Sequence, residues 1–108
     1  MFEKYKWNKR IVIHYHNSSD QHLKTNNTIR RFFDKNINEI NDRKLKFLEI
    51  YEINSDWALS HIFNKNGFGI YLIGLDGSIK EFSKDTSILR ELFLIIDSMP
   101  MRQSEIKK

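Results

Sequence analysis

The 108-residue chain contains no cysteine, which removes disulfides, thiol nucleophiles and thiolate metal sites at once. Proline occurs only at position 100, and the four glycines all lie between Gly67 and Gly77, so turns that need either residue are confined to the second half. No apolar run approaches the roughly 20 residues of a membrane span. The start, MFEKYKWNKR, also lacks the apolar stretch of a signal peptide. The chain as it stands reads as soluble, without a membrane partner. A leader removed ahead of Met1 would instead make it periplasmic or extracellular, so the compartment stays open.

Charge of one sign is scarce except at the ends. The net charge is +4, with Lys4, Lys6, Lys9 and Arg10 facing only Glu3, and Arg102, Lys107 and Lys108 facing only Glu105. The stretch between is close to neutral, whereas a nucleic-acid reader carries a basic face. The charge therefore reads as solvated termini and not as a nucleic-acid interface. Apolar residues at 40% and charged residues at 30% describe an ordinary globular chain, and its length suits one domain. The expected organisation is a flexible basic segment over 1–9, a domain over 10–102 and a tail over 103–108.

Arg10 to Tyr15 is a run of β-branched and aromatic residues with little polar alternation, which predicts a strand covered on both faces. Ile29, Phe33, Ile37 and Ile40 recur at steps of 4, 4 and 3, predicting one amphipathic helix from Leu23 to Ile40. Lys44 to Tyr51 is a second strand, giving a βαβ unit with parallel strands. Ser55 and Asp56 can cap a short helix carrying Trp57, Leu59, Ile62 and Phe63, ending at Asn66 and Gly67. Phe68 to Ile73 and Ser78 to Phe82 flank Asp76 and Gly77, a strong hairpin signal. A last helix starts near Asp85 or Thr86 and stops before Pro100.

This order of elements is that of the thioredoxin fold, an α/β three-layer sandwich whose four-stranded mixed sheet has order 2-1-3-4 with helices on both faces. Two stretches narrow the match: Leu72 to Lys80, reading LIGLDGSIK, and the ending Ile96-Asp97, Met99-Pro-Met-Arg102. With Arg10 before the first strand and Ser18-x-Asp20 after it, they resemble the DUDES-type domain family, a thioredoxin-like group of largely unknown function with a suggested peroxiredoxin kinship. The resemblance implies small bacterial proteins, often exported, or modules of extracellular proteins. It brings no activity and no cofactor. The loop after the first strand, where redox thioredoxins carry CxxC, here runs from His16 to His22, and no proline stands before the third strand. Thiol redox chemistry is therefore excluded.

The stretch HYHNSSDQH, residues 14 to 22, holds the residue types of a metal site or a hydrolase. His14 and His16 share one face of a strand and can offer two nitrogens to a metal, with His22 or Asp20 as a third ligand. A buried, hydrogen-bonded His14 and polar loop positions for His16 and His22 are the plainer expectation. Ser18-x-x-Gln21 fits a capping box, with Ser18 as N-cap, and Asp20 complements the positive helix end. The expected function is a non-redox binding or interaction module, not an enzyme. Its partner is a protein or small ligand met by His16, Ser18, Asp20, His22, Gly67, Phe68 and Gly69, within a surface that also includes Asn66. The alternative is a histidine-based metal-binding protein or hydrolase using His14, His16 and His22.

Overall fold

The computed structural model describes residues 5–17, 19–51 and 67–106. Four strands form one sheet: β1 (Arg10–His16), β2 (Leu45–Tyr51), β3 (Gly69–Ile73) and β4 (Ile79–Ser83), in the order β2-β1-β3-β4. β1 pairs parallel with β2 and antiparallel with β3, and β4 closes an antiparallel hairpin on β3. The α/β sheet order is the expected 2-1-3-4.

A central strand is covered on both faces, and β1 is buried along nearly its whole length. Val12 packs with Ile70 and Leu72 beneath the helices, joined by Ile29 and Phe33 from α1 (Asp20–Lys35) and by Ile88, Leu92 and Ile96 from α3 (Ile88–Asp97). Ile11 and Ile13 face the other way with Tyr71 and Ile73. Each fully buried isoleucine contributes about 2 kcal/mol by area transfer, so this two-sided burial is the main source of stability. The short helix expected from Ser55 and Asp56 to Asn66 and Gly67 falls, save for Gly67, within residues 52–66, which lie outside the described residues.

The single helix expected from Leu23 to Ile40 is two, because α1 ends at Lys35 and α2 (Ile37–Asp42) follows. Asn36 makes the break: its backbone leaves helical geometry at φ −112° and ψ 32°, and its side-chain amide joins its own N–H on the Phe32 carbonyl, at 2.9 and 3.1 Å. The break turns Ile37 outward, 49% exposed, although it belongs to the apolar stripe by spacing. The last predicted helix also needs correction. It begins at Ile88 and ends at Asp97, and Pro100 opens a further helix, α4 (Pro100–Ile106). Proline is well suited to a first helical position, where its missing N–H has no intrahelical partner. Residues 103–106, expected as a tail, belong to α4, and Glu105 within it reaches back to Arg10 at 3.2 Å.

The β3–β4 turn runs through Gly74 to Ser78, closed by Gly77 N–H to Gly74 O at 3.0 Å and Gly74 N–H to Ser78 O at 2.9 Å. Gly77 sits at φ +83°, a conformation open to glycine at no steric cost. Asp76 accepts from Ser78 N–H and from Lys80, which hold its carboxyl far below the usual carboxylate range.

Candidate functional site

The carboxyl end of β1 delivers His14 and His16 to the helical face, where α1 begins. Their rings stack at 4.5 Å between centroids, and His22, in the first turn of α1, sits edge-on to both at 5.9 Å. The three histidines are thus brought together. His14 and His16 are buried, and His22 is half-buried. The expectation of loop positions is corrected: His16 is the last residue of the strand and His22 is helical, because α1 starts at Asp20.

Each ring has a fixed partner. His14 Nδ1 lies 3.0 Å from Asn26 Oδ1, an amide oxygen that only accepts, so His14 donates there. His16 Nε2 donates to Glu49 Oε2 at 2.8 Å, and Arg30 approaches the other carboxylate oxygen at 3.4 Å. His22 Nδ1 is 2.8 Å from Asn17 Oδ1. Burial pushes the His14 pKa below its ordinary value against the pull of the Asn26 hydrogen bond, and His16 and His22 add to the lowering. Burial and then His16 lower His22 as well. His14 and His22 are therefore neutral near pH 7.

The helix cap is Ser19, not Ser18: Ser19 Oγ accepts from the His22 backbone N–H at 3.3 Å, and this is the third helical position. The reciprocal half of the expected capping box is not formed, because the Ser19 N–H donates to Asn17 Oδ1 at 3.2 Å. Ser18 lies outside the described residues, as does Asn66. Asp20 is exposed in the first turn of α1, and among the described residues it forms no metal-holding group with the histidines.

Of the residues before β3, Phe68 joins the cluster. Its ring is 5.5 Å from His22 and 5.1 Å from Tyr15, so it lies across the strand end. Gly67 is half-buried and its carbonyl accepts from the Tyr71 hydroxyl at 2.5 Å, while burial pushes the Tyr71 pKa up to about 12. Gly69 has a packing role: a Cβ there would meet the Phe82 ring and the Ser83 carbonyl oxygen, both at 2.7 Å.

The sequence reading missed Asn26 and Glu49, the partners that orient the imidazoles. Both carried a signal. Asn26 stands on the stripe His22, Asn26, Ile29, Phe33, at steps of 4, 3 and 4, where an apolar residue is expected. Glu49 shares its face of β2 with Leu45 and Phe47 and pairs in register with His14. A polar side chain at a core position must have a partner.

A second polar cluster occupies the other end of β1. Arg43 and Arg102, both buried, converge on Asp97 through three hydrogen bonds, from Arg43 Nε and Nη2 at 3.0 and 2.8 Å and from Arg102 Nε at 3.0 Å, while Arg102 Nη2 donates to Asp42 at 2.6 Å. Arg10 Nη1 donates to the Arg43 carbonyl at 2.9 Å and to Glu105 at 3.2 Å. Burial works against ionisation of Asp97 and Glu105, but their arginine partners prevail and hold both pKa values below the ordinary range.

Among the described residues no three histidine, aspartate or glutamate side chains are placed to hold a metal ion. No helix of the described residues is long and apolar enough to cross a membrane. Comparison with curated proteins and with solved structures finds no match. The family described as a domain of unknown function (DUF4174) matches residues 1–105, nearly the whole chain, and the protein belongs to that family.

Proposed function

We propose that this chain is a thioredoxin-like, DUDES-type domain that binds a small ligand, without thiol chemistry, at the histidine-lined end of β1. The observation that carries the reading is the convergence of His14, His16 and His22 with Phe68 at one strand end. Sheet order 2-1-3-4 supports the fold assignment. In open α/β sheets the carboxyl ends of the parallel strands are where ligands commonly bind, and β1 and β2 run parallel with their carboxyl ends together.

The site suits a neutral or weakly polar ligand with an aromatic or apolar part. Half-buried His22 and Phe68 offer ring surface, and the neutral state of His22 leaves no fixed positive charge to recruit an anion. Binding is favoured over catalysis because Ser19 Oγ serves as a cap and the His16–Glu49 pair, although it resembles an oriented general base, is buried. The test is a fragment screen followed by amide NMR. Hits are expected to shift residues 16–22 and 67–69 and to lose affinity about tenfold in His22→Ala or Phe68→Ala. Hits that map elsewhere and ignore both substitutions would overturn the placement.

The close approach of the rings favours one second reading, a metal held by His14, His16 and His22. It requires the imidazoles to leave their present arrangement, since Asn26, Glu49 and Asn17 each engage one ring nitrogen. Zinc added in a thermal-shift assay should raise Tm if that reading holds, and no shift at about 1 mM zinc eliminates it.

A further inference from the structure

At the amino end of β1, Arg10 is 1% exposed, and only one of its guanidinium nitrogens is engaged. Nη1 donates to the Arg43 carbonyl and to Glu105, whereas Nε and Nη2 are buried without a hydrogen-bond partner. Among the described residues these are the only buried side-chain polar atoms left so. Buried donors of a charged group are seldom left unsatisfied, because the lost hydration is not replaced.

Arg10 also forms part of the wall of a groove of about 480 Å³ between the β3–β4 turn and the junction of α3 and α4. That volume lies within the range of small-molecule sites. The rest of the wall is largely apolar, from Leu75, Ile95, Met99, Pro100 and Met101. At its polar margin Lys80 and Asp76 neutralise each other in a 2.9 Å ion pair.

We infer that this groove binds a small monocarboxylate with an apolar tail, its carboxylate received by the Nε–H and Nη2–H edge of Arg10. Those two donors are parallel and coplanar, and that side of a guanidinium pairs with both oxygens of a carboxylate in a bidentate fork. One negative charge fits better than two. Around Arg10 the cations Arg43, Arg102 and Lys44 are met by Glu39, Asp42, Asp97 and Glu105, so the cluster including Arg10 is balanced. The apolar wall then receives the tail. Entry requires the wall to yield, because the two nitrogens have no exposed surface, and Met99 and Met101 are the side chains able to do so, each with three rotatable bonds.

The experiment follows the Arg10 Nε–H resonance of the full chain by NMR during titration with hexanoate, hexanol and hexyl phosphate. Hexanoate is expected to shift it saturably with a Kd of about 1 mM or tighter, and hexanol to bind at least tenfold more weakly. Met101→Glu, at a 41% exposed position on the groove wall, should keep the native Tm and weaken hexanoate about tenfold by charge repulsion. Arg10→Lys, followed through the backbone amides of Leu75, Met99 and Met101, should lose saturable hexanoate binding by removing the fork; if that variant fails to fold, Met101→Glu decides. Four results would overturn the inference: no saturable shift up to about 10 mM hexanoate, as expected if buried water satisfies the arginine; equal affinity for hexanol; tighter binding of hexyl phosphate; or hexanoate binding unchanged in Met101→Glu.

Discussion

The two ends of β1 solve the same problem in opposite ways. Each brings side chains with polar atoms onto the helical face of a central strand, where burial is nearly complete. At the carboxyl end the polar groups are imidazoles, two of them held below their ordinary pKa by burial and by neighbouring imidazoles, His16 in both cases, and stabilised by hydrogen bonds to Asn26, Glu49 and Asn17. At the amino end they are arginines, charged at every accessible pH and neutralised by carboxylates. One end holds imidazoles that are neutral near pH 7 and gain charge only on acidification, and the other holds permanent cations. The difference teaches where each end is vulnerable: the first to acid, the second to loss of a single anion.

The largest effect should come from that anion. Asp97→Ala leaves buried Arg43 and Arg102 short of their shared, partly exposed carboxylate, and the loss is expected to cost about 2 to 3 kcal/mol in urea denaturation, the lower side of the buried-pair range because of that exposure. A cost below about 0.5 kcal/mol would mean that the amino-end network is no more than a surface ion pair. The matching change at the other end, Asn26→Ala, strips buried His14 of its partner and should cost about 2 kcal/mol by the same assay.

Acid should separate the two ends further. For His14 and His22 the folded-state pKa lies below 6.5, so as pH falls through 6.5 the unfolded chain takes up protons that the folded chain refuses. Stability is therefore full above 6.5, falls below it, and levels off once the folded histidines also protonate. Asp97 and Glu105 have the opposite arrangement. Their folded values lie below 3.8 and 4.5, and the stability they contribute is present above those values and lost as pH drops through the folded ones. Denaturation midpoints measured across pH should show two separate declines, with His14→Gln reducing the upper and Asp97→Asn the lower. A single decline, near pH 4 alone, would remove the contrast between the ends. The smallest effect is expected from Ser19→Ala, about 1 kcal/mol for loss of the α1 cap, read from the same denaturation curves.

Much of this architecture was legible in the sequence because period-two and period-3.6 patterns record which side of an element is buried. The run from Arg10 to Tyr15 reads as a doubly covered strand, and the Asp76-Gly77 turn reads as a hairpin. The failures have local causes. Asn36 ends a helix by leaving helical backbone geometry while its side-chain amide and its N–H both hold the Phe32 carbonyl, a local event that spacing does not register. Pro100 reads as a stop and also starts α4. The cap moves from Ser18 to Ser19 because two adjacent serines satisfy the same rule.

The candidate site was legible in its histidines and illegible in their partners. His14 and His16 share a face by alternation alone, but Asn26 and Glu49 come from α1 and β2, and only the packed sheet aligns them. The arginine end was harder still. Arg10 and Arg102 read as solvated charge near the termini, yet both are buried and meet through Glu105. Long-range ion pairing leaves no periodic trace in a sequence.

The contrast between a neutral, titratable end and a permanently charged one rests most directly on the protonation of three imidazoles. A pH titration of the ring ¹⁵N resonances of His14, His16 and His22 measures it. The expected result is midpoints for His14 and His22 below 6.5, with each ring's resonances also responding to protonation of its neighbours. Independent curves for His14 and His22, both centred at or above 6.5, would contradict the account.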